Sequence, residues 1–314
     1  MEIVENTNKL TLNEEIFVVI IMSYFGDALV GNALFQNIKN IYPNSKTVFI
    51  INKQYYEVAK YQKDVDEVFV FDKNKEHKGI LGLFKFVKNF PYKKIKYIFK
   101  MCRKTRVDIL SFLLRPEKII NYDDDISIPT HERYCNLLKK VTDKNVVSFP
   151  IIYNAENTLP EKFQDVLKKD KKYIALCAVA SSAPRDMPIE TAVELISKLK
   201  LDGYSIVLVG VGERCIAYVK ELEKNNCEFI NLVDSTTIYE LARVLRNCKC
   251  LISVDTGPMH LGYANNVPTI CCFYDESTIT GWAPDKKLYP HTILPEDNSS
   301  KGIYEAYKSL TSKA

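Results

Sequence analysis

The sequence predicts an α/β protein made of two Rossmann-like, doubly wound domains that face each other across a cleft. Three observations lead there. Short β-rich apolar runs alternate with longer stretches at helical spacing; the runs are almost continuously apolar, as strands covered on both faces of a parallel sheet are; and the alternation occurs twice, on either side of a polar segment that carries a proline. With 314 residues, 46% of them hydrophobic, the chain can bury two cores of ordinary size.

In the first half the strand candidates are IFVVIIM (16–22), TVFII (47–51), EVFVF (67–71), VDILSFLL (107–114) and KIIN (118–121). ALVGNALFQNIKNIY (28–42) reads as the helix joining the first two, with its apolar residues at helical spacing. The polar segment IIYNAENTLPEKFQDVLKKDKK (151–172) joins the halves, and the domains are set at 1–155 and 156–314. In the second half the candidates are YIALCAV (173–179), SIVLVG (205–210), EFINL (228–232), CLISV (250–254) and PTICCF (268–273). Pro188 suits a first helical position, and Ile189, Val193, Ile196 and Leu199 then share one face. KGIYEAYKSL (301–310) forms a last helix.

Composition removes several classes of protein. A net charge of +4 is too small to argue for a nucleic-acid binder. No apolar run reaches the roughly 18 residues of a membrane span. The start of the chain, MEIVENTNKLTLNEE, carries acids where a secretory signal carries Lys or Arg, which points to the cytoplasm. The nine cysteines show no paired C-x-x-C spacing: Cys248 and Cys250 are too close for a zinc knuckle, and Cys271 and Cys272 lie inside an apolar run. Buried, reduced thiols are expected, with no metal and no cofactor.

The polar residues concentrate in SVDTGPMHLGYANNVPTICCF (253–273), directly after an apolar run. In open parallel sheets, ligands bind beyond the carboxyl ends of the strands, where loops and helix starts converge. The loop from Asp255 through Thr256, Gly257, Pro258 and Met259 to His260 suits a nucleotide diphosphate. Gly257 lets backbone approach the ligand, helix-start N–H groups attract anions, and Thr256 and His260 add donors. Helix capping by Asp255 or Thr256 explains the same residues, and spacing alone leaves both readings open.

The segment VDTGPMHLGYANNVPTICCF is similar to the signature of glycosyltransferase family 9, the heptosyltransferases of lipopolysaccharide core assembly, whose members read D-T-G-x-x-H-L-x-x-A-x-x-x-P. The resemblance extends along most of the chain: IFVVIIMSYFGDALVGNALFQNIKNIYPNSKTVFII (16–51), VDEVFVFD (65–72), HERYCNLL (131–138), ALCAVASSAPRDMPIETAVELISKL (175–199), IVLVGVGER (206–214) and STTIYELARVLRNCKCLISVDTG (235–257) follow the family's order. It implies the two-domain glycosyltransferase B fold, with an N-terminal acceptor-binding domain and a C-terminal donor-binding domain that carries the terminal helix. It also implies an inverting, metal-independent transfer of a sugar, foremost heptose from ADP-heptose, to a lipopolysaccharide or lipooligosaccharide core acceptor.

By the same resemblance, Asp27 matches the catalytic base, a carboxylate that takes the acceptor hydroxyl's proton; a helix N-cap is its other reading. Arg185 stands where relatives carry Lys against the donor phosphates, keeping the charge and changing its geometry. Ser181 and Ser182 match small hydroxyl residues near the diphosphate. Glu213 matches a nucleoside contact, with a solvated helix start as its alternative. Thr236 and Thr237 edge the nucleobase pocket, unless Thr237 is an N-cap. Departures from the pattern are Met187 for a common Trp, Gly262 for a frequent Ala, and fourteen residues ahead of the usual start. They bear on the identity of donor and acceptor.

Two charge clusters stand apart. From residue 78 to residue 106 there are ten Lys or Arg and no Asp or Glu, interleaved with aromatic and aliphatic residues. Lys93, Lys94, Lys96, Lys100, Arg103 and Lys104 of this stretch suit an anionic glycolipid acceptor or the inner face of the cytoplasmic membrane; a solvated helix face is the alternative, and no nucleic-acid motif accompanies them. The run Asp123, Asp124, Asp125 could pass for a metal-binding D-x-D, but it is remote from the donor pattern and reads as a solvated loop. The rival functions are a nucleotide-sugar epimerase of the same fold and a non-catalytic nucleotide- or lipid-binding relative.

Overall fold

The apolar runs assemble into two all-parallel sheets. The computed structural model describes residues 14–123, 125 and 127–311. The first half runs β1 (Ile16–Ile21), α1 (Phe25–Val30), α2 (Asn32–Ile41), β2 (Lys46–Asn52), α3 (Tyr56–Lys60), β3 (Glu67–Phe71), α4 (Gly79–Asn89), β4 (Ile95–Lys100), α5 (Thr105–Leu113), β5 (Lys118–Ile120) and α6 (Thr130–Lys139). The second runs β6 (Tyr173–Cys177), α7 (Ile189–Leu201), β7 (Ser205–Leu208), α8 (Glu213–Lys224), β8 (Ile230–Asn231), α9 (Ile238–Arg246), β9 (Cys250–Val254), α10 (Gly257–Ala264), β10 (Thr269–Cys272), α11 (Ile279–Trp282), β11 (Thr292–Ile293) and α12 (Ser300–Thr311).

The strand orders are β3-β2-β1-β4-β5 and β8-β7-β6-β9-β10-β11. Each sheet grows in one direction from its first strand and then in the other, so the order reverses between β1 and β4, and again between β6 and β9. Crevices at such reversals are where doubly wound sheets take ligands. The loops after these four strands therefore define the site.

Several elements differ from the sequence expectation. Residues 107–114 are not a strand: Val107, Leu110, Ser111 and Leu114 are buried at i, i+3, i+4 and i+7, the spacing of one face of a helix, and they lie on or just after α5. The fourth strand is IKYIFK (95–100), inside the basic stretch, with Ile95, Ile98 and Phe99 buried. The expected helix over 28–42 is two helices meeting at Gly31. Pro188, expected as the first helical residue, stands at the N-cap of α7, which starts one position later at Ile189. All nine cysteines are free, and eight are buried.

The halves share one core. A single buried cluster contains Phe17 and Tyr134 from the first half, Tyr153 from the joining segment, and Leu241, Met259 and Tyr289 from the second. Backbone and ring contacts stitch the same seam: Tyr61 stacks on Tyr239 at 4.0 Å, the Tyr239 N–H donates to Glu57 at 3.0 Å, and the Tyr153 N–H donates to the Ala264 carbonyl at 3.1 Å.

Burial also lowers the basicity of the histidines. Burial pushes the imidazoles of His77, His131, His260 and His291, the chain's four histidines, below their ordinary value. The unfolded chain therefore binds protons first as pH falls below about 6.5, so this part of the stability is fully present above that pH and is lost below it. Thermal melts taken from about pH 7.5 down to about pH 5.5 should show a falling midpoint; a midpoint that rises on acidification would contradict it.

Candidate active site

On the second sheet, the loop after β6 turns through a short 3₁₀ segment, Ala183–Arg185, and aims Arg185 at the loop after β9. Its guanidinium donates to the Asp255 carboxylate at 3.0 Å, to the Ser182 hydroxyl at 3.0 Å and to the Ser181 hydroxyl. Asp255 is buried, whereas the Arg185 side chain keeps 21% of its surface. Four residues singled out in the sequence thus form one cluster at the reversal between β6 and β9. Asp186 fastens the loop from behind: it accepts from the Ala180 N–H at 2.8 Å and pairs with Arg214. Arg214 escaped the sequence reading, which stopped at its neighbour Glu213.

Thr256 occupies the N-cap position of α10, yet its side chain makes no capping bond, and the Asp255 carboxylate is turned to Arg185. Capping therefore does not account for either side chain. Met259 lies wholly in the core beneath the loop, so it offers a ligand no side-chain surface. His260 also differs from the expected phosphate donor. It is 2% exposed, its Nδ1 is 2.6 Å from the Tyr263 hydroxyl, it packs on Trp282, and burial lowers its basicity. It is a neutral imidazole set into the seam.

What His260 touches is the first sheet's loop. A β-carbon placed on Gly26 would come within 2.9 Å of the His260 ring, and one on Gly257 within 2.1 Å of the Phe25 ring. Only glycine permits either approach. These contacts bring the loop after β1 against the start of α10, with Asp27 next in the chain.

Asp27 is the third residue of α1. One carboxylate oxygen accepts from the Tyr24 N–H and the other from the Tyr134 hydroxyl, each at 3.1 Å. Asp27 thus helps to close the helix start without being the N-cap itself, which is Tyr24. Tyr134, buried on α6, was legible only as part of HERYCNLL; nothing local marked its hydroxyl as the partner of a residue 107 positions away. Tyr122 packs against the Tyr134 ring and lines a cavity of about 350 Å³ with Lys100, Cys102, Arg103, Asp108 and Asn121.

The six cations expected on one surface are divided by β4. Lys93, Lys94 and Lys96 stand at its amino end and Lys100, Arg103 and Lys104 at or beyond its carboxyl end, the two ends being about 16 Å apart at ~3.3 Å per residue. Lys96 pairs with Glu15, Lys100 with Asp108, and Lys93 and Lys104 donate to the Phe90 and Met22 carbonyls. A continuous solvated helix face does not exist here; Lys100 and Arg103 reach the cavity.

The remaining residues lie at the far strands. Glu213 is the exposed first residue of α8, after Gly212 at φ 94°. Thr236 is half-buried, and Thr237 is the N-cap of α9, accepting from the Glu240 N–H at 3.2 Å while its own N–H donates to Glu240. Capping is what the Thr237 side chain does. Asp123 and Asp125 are exposed beyond β5, and the Asp125 carboxylate accepts from Ser127. Asp124 lies outside the described residues, as do residues 1–13 of the expected extra start. Among the described residues no three metal-ligating side chains converge.

Paired switch-point crevices that meet through glycine contacts define a glycosyltransferase B architecture, and solved structures agree. The fold matches the glycosyl transferase family 9 protein from Veillonella parvula DSM 2008 (TM-score 0.81, 17% identity, 98% of this chain and 100% of that one). It also matches E. coli ADP-heptose lps heptosyltransferase II (0.74, 16%, 95% and 99%) and E. coli heptosyltransferase WaaC with ADP (0.71, 16%, 95% and 100%). A search of curated proteins by sequence finds no match. The profile of glycosyltransferase family 9 (heptosyltransferase) matches residues 110–302, and the chain belongs to that family. It is accordingly a glycosyltransferase.

Proposed function

We propose that this enzyme transfers heptose from ADP-heptose, with inversion and without a metal ion, to an anionic glycolipid of the lipopolysaccharide inner core at the cytoplasmic face of the membrane. The observation that carries the reading is the contact of the two helix starts, Gly26 on His260 and Phe25 on Gly257, which brings α1 with Asp27 against the start of α10, directly after Asp255 and its partner Arg185. The acceptor hydroxyl oxygen forms a bond to the anomeric carbon while the bond from that carbon to the diphosphate oxygen breaks. The proton passes to the Asp27 carboxylate, and the electron pair leaves with ADP.

Arg185, Ser181, Ser182 and the helix-start N–H groups of α10 stabilise the departing charge in a preorganised setting. Glu213 and Thr236 border the nucleoside. Lys100 and Arg103 supply positive charge for the acceptor's anionic groups in the cavity they line with Tyr122, which packs on the Asp27 partner Tyr134. One solved relative in two complexes, E. coli WaaC with ADP and with ADP-2-deoxy-2-fluoro heptose, supports the choice of nucleotide and sugar.

Calorimetric titration with ADP, UDP and the corresponding nucleosides tests the donor class, and a transfer assay in excess chelator tests the metal. ADP should bind far more tightly than adenosine, and transfer should persist in chelator. Failure of every nucleoside diphosphate to bind, or activity that chelator abolishes and magnesium or manganese restores, would overturn the proposal.

A further inference from the structure

α4 and α5 cover the face of the first sheet that is turned away from the second. The buried cluster beneath them, with Val18, Ile20, Ile98, Leu83, Phe86 and Leu110, contains residues of the first half alone. On their outer side, the described residues leave large apolar side chains half or more exposed. Ile80, Leu81 and Phe84 on α4 are 52%, 79% and 52% exposed, and Phe112 on the adjoining α5 is 76% exposed. At 100° per residue, Ile80, Phe84, Lys88, Leu81 and Lys85 follow one another over an arc of roughly 140°, opposite Leu83 and Phe86. Both lysines are exposed, Lys85 lying 3.2 Å from Glu76 of the preceding loop, and α4 itself contains no acid.

We infer that the outer faces of α4 and α5 dock onto an anionic lipid bilayer. Ile80, Leu81, Phe84 and Phe112 enter the boundary between headgroups and acyl chains, and Lys85 and Lys88 sit at the level of the lipid phosphates. Two arguments select this occupant. A helix face is convex and presents apolar tips without a groove, which suits a compliant bilayer, and the only charges within the α4 arc are positive, which complements anionic headgroups, while Asp108 on α5 is held by Lys100. The location fits as well, since Asp108 of α5 lines the same cavity as Tyr122, whose ring packs on Tyr134, the hydroxyl partner of Asp27. A protein lying on these helices would hold that cavity close to the membrane. The inference rests on the reading of a lipid-linked acceptor, but its test does not use turnover.

The full chain should co-sediment with vesicles of equimolar phosphatidylglycerol and phosphatidylcholine, and more weakly with phosphatidylcholine alone. The double variant Leu81→Ser, Phe84→Ser should lower partition onto the anionic vesicles at least roughly tenfold at an unchanged melting temperature, because both side chains lie outside the core. Lys85→Gln with Lys88→Gln, or added salt, should reduce the preference for anionic over neutral vesicles. Partition that is the same in the parent and the serine variant overturns the inference, as does a parent that ignores anionic vesicles. Light scattering that finds a parent dimer, returned to monomer by the serine variant, would give the face to a second copy and overturn it too. Calorimetry with ADP on the same samples separates the two claims: ADP binding without vesicle binding sinks the docking alone, whereas vesicle binding without ADP binding sinks the ADP-heptose donor and supports the docking.

Discussion

Asp27→Asn is expected to lower turnover by roughly 100-fold or more while leaving the fold and the affinity for the donor close to those of the parent, the loss that removal of a general base produces. The substitution keeps the shape and one acceptor oxygen, so the bond from the Tyr24 N–H survives and α1 still starts at Phe25. What goes is the group proposed to take the proton. Tyr134→Phe sharpens the test, because it removes only the hydroxyl that donates to Asp27. It should reduce kcat in the parent with little change in KM for the donor, and should reduce nothing further once Asp27 is Asn, since groups acting as a unit are not additive. Parent-like kcat for Asp27→Asn with the true acceptor would leave Asp27 as a helix-start acceptor and no more.

Arg185→Ala should act twice. It removes the cation proposed to face the diphosphate, and should weaken nucleoside diphosphate binding by about 1.5–3 kcal/mol and nucleoside binding hardly at all. It also leaves the buried Asp255 carboxylate without its ion pair. Breaking a buried pair from one side costs about 3–5 kcal/mol, and the partial exposure of Arg185 puts this case toward the lower end. The two effects come apart in the double variant Arg185→Ala, Asp255→Asn, which should recover most of the stability and none of the diphosphate affinity. Denaturant melts read the first quantity and calorimetry the second; equal affinity losses for diphosphate and nucleoside would place Arg185 at the base or ribose.

Strands buried on both faces were the most legible part of the chain. Runs such as IFVVIIM and CLISV have no other stable destination, and the structure places a strand in each. The fourth strand was missed because its charges, Lys96 and Lys100, interrupt the apolar run; their partners Glu15 and Asp108 come from elsewhere in the chain and cannot be seen locally. Conversely VDILSFLL was dense enough in apolar residues to read as a strand, although its buried positions keep helical spacing. β11 has two residues and no signal at all. At the site, the loops after β1, β6 and β9 were legible because glycine, serine and acids cluster there. The departures concern depth: Met259 and His260 share the loop's sequence signature but point inward, and only the packing of Gly26 against the imidazole reveals this.

The core shared across the seam has a consequence for how the molecule comes apart. Phe17 and Tyr134 on one side, and Leu241, Met259 and Tyr289 on the other, lose water by packing into the same cluster, so neither half completes its burial alone. Loosening one sheet strips neighbours from the other, which is the condition for all-or-none behaviour in a chain whose length would otherwise favour stepwise melting. The two halves are units of topology, and cooperativity belongs to the pair. Cleavage within 151–172 would accordingly release fragments with exposed apolar surface, prone to clump, in place of two soluble modules.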